Sequence, residues 1–171
     1  MKRDLIRVRA ARPEDFDSIL AINEQGRPGI VALDAGELRR LLRLDGRLIV
    51  ADRGGEVLGY VIVFDSLSAY DGEEFRALRQ GLRDPFLYVD QLAVSQACRR
   101  MGVAGRLYEA LATGVAGLPV RPICCEVNLE PPNPASMAFH QRMGFMELQR
   151  LSVADGRVVA LLASGLRQPG A

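Results

Sequence analysis

Apolar and polar residues alternate over Leu5–Arg9, the pattern of a half-buried strand. At Arg12-Pro13-Glu14-Asp15 the period lengthens, and Phe16, Ile19, Leu20 and Ile22 recur at helical spacing behind a proline suited to a first turn. Gly26-Arg-Pro-Gly29 ends that helix, and Leu38, Leu41 and Leu42 mark a second one over Ala35–Leu44. Leu48–Ala51 and Val57–Phe64 read as two strands joined through Asp52-Arg53-Gly54-Gly55, a hairpin signal. The polar stretch from Ser66 to Asp84 predicts a surface excursion with a short helix around Glu73–Arg79. A strand over Phe86–Val94 follows. Beyond it a helix begins at Val103, with Val103, Leu107, Ala110, Leu111 and Gly114 on one side. Pro122–Asn128 predicts a strand, Pro134–Met143 a short helix, and Met146–Val153 and Val158–Ala163 two closing strands. The order implies a mixed α/β fold, its strands first mostly antiparallel and then parallel across the helix from Val103.

Composition narrows the class. With 171 residues, 49% hydrophobic and 25% charged, the chain is expected to form a single domain over residues 1–166, with a loose tail at 167–171. A formal charge of +1 gives no electrostatic case for nucleic acid or an anionic membrane as partner. The charged start, Met1 to Arg12, does not read as a signal peptide, and no apolar run reaches membrane-span length. Three cysteines, two of them adjacent at Cys124 and Cys125, suggest neither a disulfide framework nor a zinc site. A reduced, cytoplasmic protein without metal is the expectation; the single histidine supports it.

The chemistry concentrates in two stretches. In Gln91-Leu-Ala-Val-Ser-Gln-Ala-Cys-Arg-Arg-Met-Gly-Val-Ala-Gly-Arg-Leu-Tyr108, a strand enters a loop with two arginines and two close glycines before a helix. Orphan N–H donors, the helix dipole and Arg99/Arg100 all favour a phosphate or pyrophosphate there. Arg106-Leu107 follows Gly105 where a nucleoside triphosphate loop needs Lys-Ser or Lys-Thr, and the three-glycine dinucleotide spacing is absent. On residues alone, a basic turn capping an ordinary helix stays open. The second stretch runs from Glu126 to Phe145. Here Asn133 is placed to cap a helix, Pro134 opens it and Gly144 stops it, while Asn133, Ser136 and His140 share one polar stripe. A solvated surface stripe is the alternative.

Together these stretches resemble the GNAT acetyltransferases. Arg99-Arg100-Met101-Gly102-Val103-Ala104 is similar to the family's acyl-CoA loop, and Asn133 with Gly144-Phe145 matches its later helix. The resemblance covers Ile6 to about Ala163. It implies an α/β fold of one domain: a mixed, mostly antiparallel sheet, flanked by helices, whose central parallel strands splay around the pantetheine arm. It also implies acetyl-CoA as co-substrate. The backbone of Leu92, Ala93 and Val94 would pair with pantetheine, Arg99, Arg100, Met101, Gly102, Val103, Ala104 and Gly105 would hold the pyrophosphate, and Asn133 and Ser136 would meet the arm. Transfer to an amine needs a base for nitrogen and an acid for the departing thiolate. His140 stands where many members carry the tyrosine acid, with Tyr88 or Tyr108 as alternative phenols and Tyr108 expected to be a partly buried helix residue. Asp90, placed by alternation on one face with Tyr88 and Leu92, is the favoured base; Glu126 is expected to be a strand-end carboxylate in a salt bridge or hydrogen bond. Cys124 and Cys125 lack an activating partner, which argues against an acyl-cysteine route.

The expected reaction is acetyl transfer to the primary amine of a small molecule or an amino terminus, by direct attack in a ternary complex. A non-catalytic acyl-CoA-binding module and a protein lysine acetyltransferase are the other readings. Segments 23–34 and 66–86 are expected to line the acceptor pocket, and a homodimer is expected by resemblance.

Overall fold

A computed structural model describes residues 5–165; the expected boundary at 166 and the tail 167–171 lie outside the described residues. Seven strands form one sheet: β1 (Arg7–Ala10), β2 (Arg47–Arg53), β3 (Glu56–Asp65), β4 (Leu87–Val94), β5 (Ile123–Glu130), β6 (Met146–Ser152) and β7 (Val158–Ser164). Five helices pack around it: α1 (Phe16–Gly26), α2 (Ala35–Arg43), α3 (Glu73–Gly81), α4 (Val103–Ala112) and α5 (Pro134–Arg142). The predicted elements all form, with ends displaced by a few residues. The strand order is β1-β2-β3-β4-β5-β7-β6, antiparallel throughout except for the central parallel pair β4–β5. This is the α/β architecture that the resemblance implied.

β2 and β3 read as nearly continuous apolar runs because both of their faces are covered. On one face Val50, Tyr60, Ile62 and Phe64 meet Ile19 of α1, Leu38 and Leu41 of α2 and Phe75 of α3. On the other face Val61, Val63, Leu87 and Val89 meet Val103, Leu107 and Leu111 of α4, with Met137 and Phe139 of α5 packed alongside. The helical face expected to include Ala110 and Gly114 is instead Val103, Leu107, Tyr108 and Leu111, and Gly114 lies beyond the end of α4. Tyr108 is therefore buried rather than partly buried.

Two irregularities shape the centre of the sheet. β4 and β5 pair only at Leu87–Ile123, Tyr88–Cys124 and Val89–Cys125, so the strands part beyond Val89 and Cys125. The β3–β4 ladder also slips: Ile62 faces Gln91 while Val63 faces Val89, which leaves Asp90 as the extra residue of a bulge. The bulge corrects the expected alternation. Asp90 shares the Tyr88 face, but Leu92 packs with the α4 side.

Candidate active site

A cavity of about 690 Å³ opens where β4 and β5 part. Its floor comes from Tyr88, Asp90 and Gln91 on β4 and Cys125 and Glu126 on β5, with Tyr108 of α4 and His140 of α5 on one side and segment 28–32 and Glu74 on the other. Both segments expected near the acceptor thus contribute to this cavity, the second through Tyr70 and Glu74. Asp90 and Glu126 are the first residues past the last pair of each strand, so the splay itself brings the two carboxylates to one opening.

Each carboxylate is held by a phenol. Tyr70 donates to Asp90 Oδ1 and Tyr88 donates to Glu126 Oε2, both at 2.5 Å. Burial disfavours the charged forms, pushing Asp90 up to about 6 and Glu126 up to about 8, the latter helped by the Asp90 charge. Tyr88 is itself buried, which raises its phenol well above the ordinary value, and it packs edge-on against Phe75. Its hydroxyl is committed to Glu126.

The charged residues in the rest of the lining are mainly acidic. Glu37, Glu74 and Asp155 join the two central carboxylates, and Arg157 is the one arginine among the described lining residues, which include no lysine. That guanidinium already bonds Asp155 at 2.8 Å, Glu74 at 3.2 Å and Asn128 at 3.0 Å.

A buried polar knot fixes the segment over the cavity. Asn23 Nδ2 lies 3.0 Å from Val31 O, 3.0 Å from the Tyr60 hydroxyl and 3.2 Å from Gln91 Oε1, while its Oδ1 accepts from Leu33 N–H. Nothing local marks Asn23 for this role, because a polar residue on a helix face gives no sign that its partners lie far along the chain. Asn23→Leu strands these groups without partners, and a loss of about 2–4 kcal/mol of stability is expected in denaturant unfolding.

The residues expected to hold the cofactor fall in two groups. Leu92, Ala104, Asn133 and Ser136 line the cavity; Ala93, Val94, Arg99, Arg100, Met101, Gly102, Val103 and Gly105 do not. Ala93 and Val94 continue β4, which has no β5 partner beyond Val89. Arg100 and Gly102 both have positive φ, 64° and 76°, and no side chain among the described residues caps α4. The first N–H groups of that helix are therefore left to face outward from the turn. Arg99 turns instead to Gln25 O, at 3.3 Å, and Val103 is buried in the core. Asn133 caps α5 by accepting from Ser136 N–H.

His140 is 8% exposed and Tyr108 3% exposed, and His140 Nε2 lies 2.8 Å from the Tyr108 hydroxyl. Burial lowers the imidazole's proton affinity and raises that of the phenolate. Among the described residues, no group of His, Cys, Asp and Glu side chains is arranged to hold a metal ion.

The sequence profile of the acetyltransferase (GNAT) family matches residues 14–145. The chain belongs to that family. The stretch matched runs from the turn before α1 to the close of α5 and includes both carboxylates, the α4 turn and the Tyr108–His140 pair. No curated protein sequence matches significantly. Among solved structures, the fold is similar to the ribosomal-protein-S18-alanine N-acetyltransferase from Escherichia coli, with TM-score 0.68, 14% identity and 97% of each chain covered. It is also similar to NAA60 of Arabidopsis thaliana in complex with acetyl-CoA, with TM-score 0.71, 18% identity, and 94% of this chain and 99% of that one covered. A ribosomal-protein-alanine N-acetyltransferase from Brucella melitensis matches with TM-score 0.67 and 22% identity, covering 94% and 99%. Among the described residues no helix is long and apolar enough to cross a membrane.

Proposed function

We propose that this GNAT acetyltransferase moves an acetyl group from acetyl-CoA to a primary amine, on a small molecule or an amino terminus, by direct attack in a ternary complex. The observation that carries the reading is the pair of carboxylates at the mouth of the splay, beside a free β4 edge and an uncapped α4 turn. Leu92, Ala93 and Val94 offer backbone groups to the pantetheine arm. The turn from Arg99 to Gly105 holds the pyrophosphate through N–H groups. Asn133 and Ser136 flank the arm from α5. At neutral pH Asp90 is ionised and ready to accept the amine proton, while Glu126 retains its own proton up to about 8.

The acidic lining selects the acceptor by charge. Arg157 is occupied, so the described residues of the cavity offer no spare arginine or lysine to a substrate carboxylate. In an amine panel, diamines and amino-acid amides are therefore expected to outrun free amino acids, measured by release of the CoA thiol. The first test is isothermal titration with acetyl-CoA, CoA and ATP. Micromolar binding of the first two with ATP silent is expected; no acyl-CoA binding would refute the reading.

A further inference from the structure

We propose that Tyr108 on α4, rather than His140, gives a proton to the departing CoA thiolate, and that His140 is the positioning residue that aims its phenol. The proposal rests on the acetyl-CoA reading above. The hydrogen bonds of the imidazole fix its tautomer. Nδ1 lies 2.8 Å from the carbonyl oxygen of Ser136, one turn earlier on α5, and 3.3 Å from the Ser136 hydroxyl. A carbonyl only accepts, so Nδ1 carries the ring proton. In a neutral ring Nε2 is then a lone pair, and its 2.8 Å contact with Tyr108 is a bond that the phenol donates. His140 thus presents no proton to the cavity.

Tyr108 does. Its ring packs against Phe145 and Phe139, with centroids 5.2 and 6.0 Å away, and the residue lines the cavity. The hydroxyl neighbours Cys125, the last β5 residue paired with β4, and both residues line the cavity that opens there. Until the reaction, Nε2 holds the phenol hydrogen. A thiolate is a charged and stronger acceptor than a neutral imidazole, so the O–H turns to sulfur as charge develops there.

In the reaction the amine nitrogen bonds to the carbonyl carbon and yields its proton to Asp90. The carbon–sulfur bond breaks with its electron pair on sulfur, and sulfur takes the Tyr108 proton. The phenolate regains a proton from water as CoA leaves, and Asp90 releases its own to solvent.

Because His140 is the chain's single histidine, nitrogen NMR of the full chain with labelled histidine reads this ring without ambiguity. The expected spectrum at pH 7 is the neutral Nδ1–H tautomer, with the Nε2 signal displaced in Tyr108→Phe and Nδ1 unmoved. The second readout is the thiol pKa of bound CoA, from thiolate absorbance. Tyr108→Phe removes the donor and is expected to raise it by about one unit, a tenfold change, with CoA affinity within about threefold of wild type. His140→Gln, whose amide oxygen can also accept from the phenol, is expected to retain most of the wild-type value. An Nε2–H tautomer, or an unmoved thiol pKa with normal CoA affinity, would overturn the proposal alone. Failure of the wild type to bind CoA would overturn the acetyl-CoA reading and this proposal with it.

Discussion

Replacing Asp90 with asparagine is expected to lower kcat/KM for amine acetylation by about 100-fold at pH 7, with acetyl-CoA affinity nearly unchanged. Asp90 is the bulged residue of β4 at the cavity floor, and Tyr70 occupies only its Oδ1. A base must be ionised to act, so the wild-type rate should climb with pH to about 6 and then level. Removing Asp90 also removes a charge that raises Glu126, whose proton affinity should fall and let it supply the residual rate. Asp90→Asn/Glu126→Gln is therefore expected to be slower than either single variant. An undiminished rate in Asp90→Asn would transfer the base role to Glu126 or to water.

The same carboxylates cost stability when charged. Both have folded-state values raised above the ordinary ones, so their contribution is present below the unfolded values and is lost as pH rises through about 6 and about 8. Glu126→Gln should accordingly melt higher than wild type at pH 9, by about 2–4 °C for each kcal/mol recovered, with no gain at pH 4. Thermal denaturation across pH checks the sign.

Gly102→Val is expected to weaken acetyl-CoA binding by about 100-fold, read by calorimetry. The residue caps α4 with φ 76°, a conformation a β-branched side chain resists. An added Cβ meets nothing within 4 Å in the protein, so the fold has room for it. What suffers is the turn whose N–H groups are proposed to hold the pyrophosphate. Gly102→Asn separates the two effects, since asparagine tolerates this backbone but still carries a side chain toward the ligand. Unchanged affinity in both variants would remove the pyrophosphate assignment.

The order of strands and helices was legible from the chain, because amphipathic period and turn residues are local properties. The Asn133 cap, the Pro134 start and the Gly102 turn were legible for the same reason. The resemblance then supplied the splay, which no period could show. What remained hidden depended on contacts between distant residues. The bulge that turns Leu92 away from the Tyr88 face is set by the partner strand β3, not by the alternation within β4. The raised proton affinity of Glu126 follows from burial beside Asp90, far from it in sequence. The reach of Tyr108 to His140 spans 32 positions and joins two helices packed on one side of the sheet. Sequence by itself determined which elements form and where the glycines and caps must lie, since neighbouring residues decide those. Only tertiary structure decided which polar groups share the opening and which of them holds a proton, because burial and long-range pairing set both.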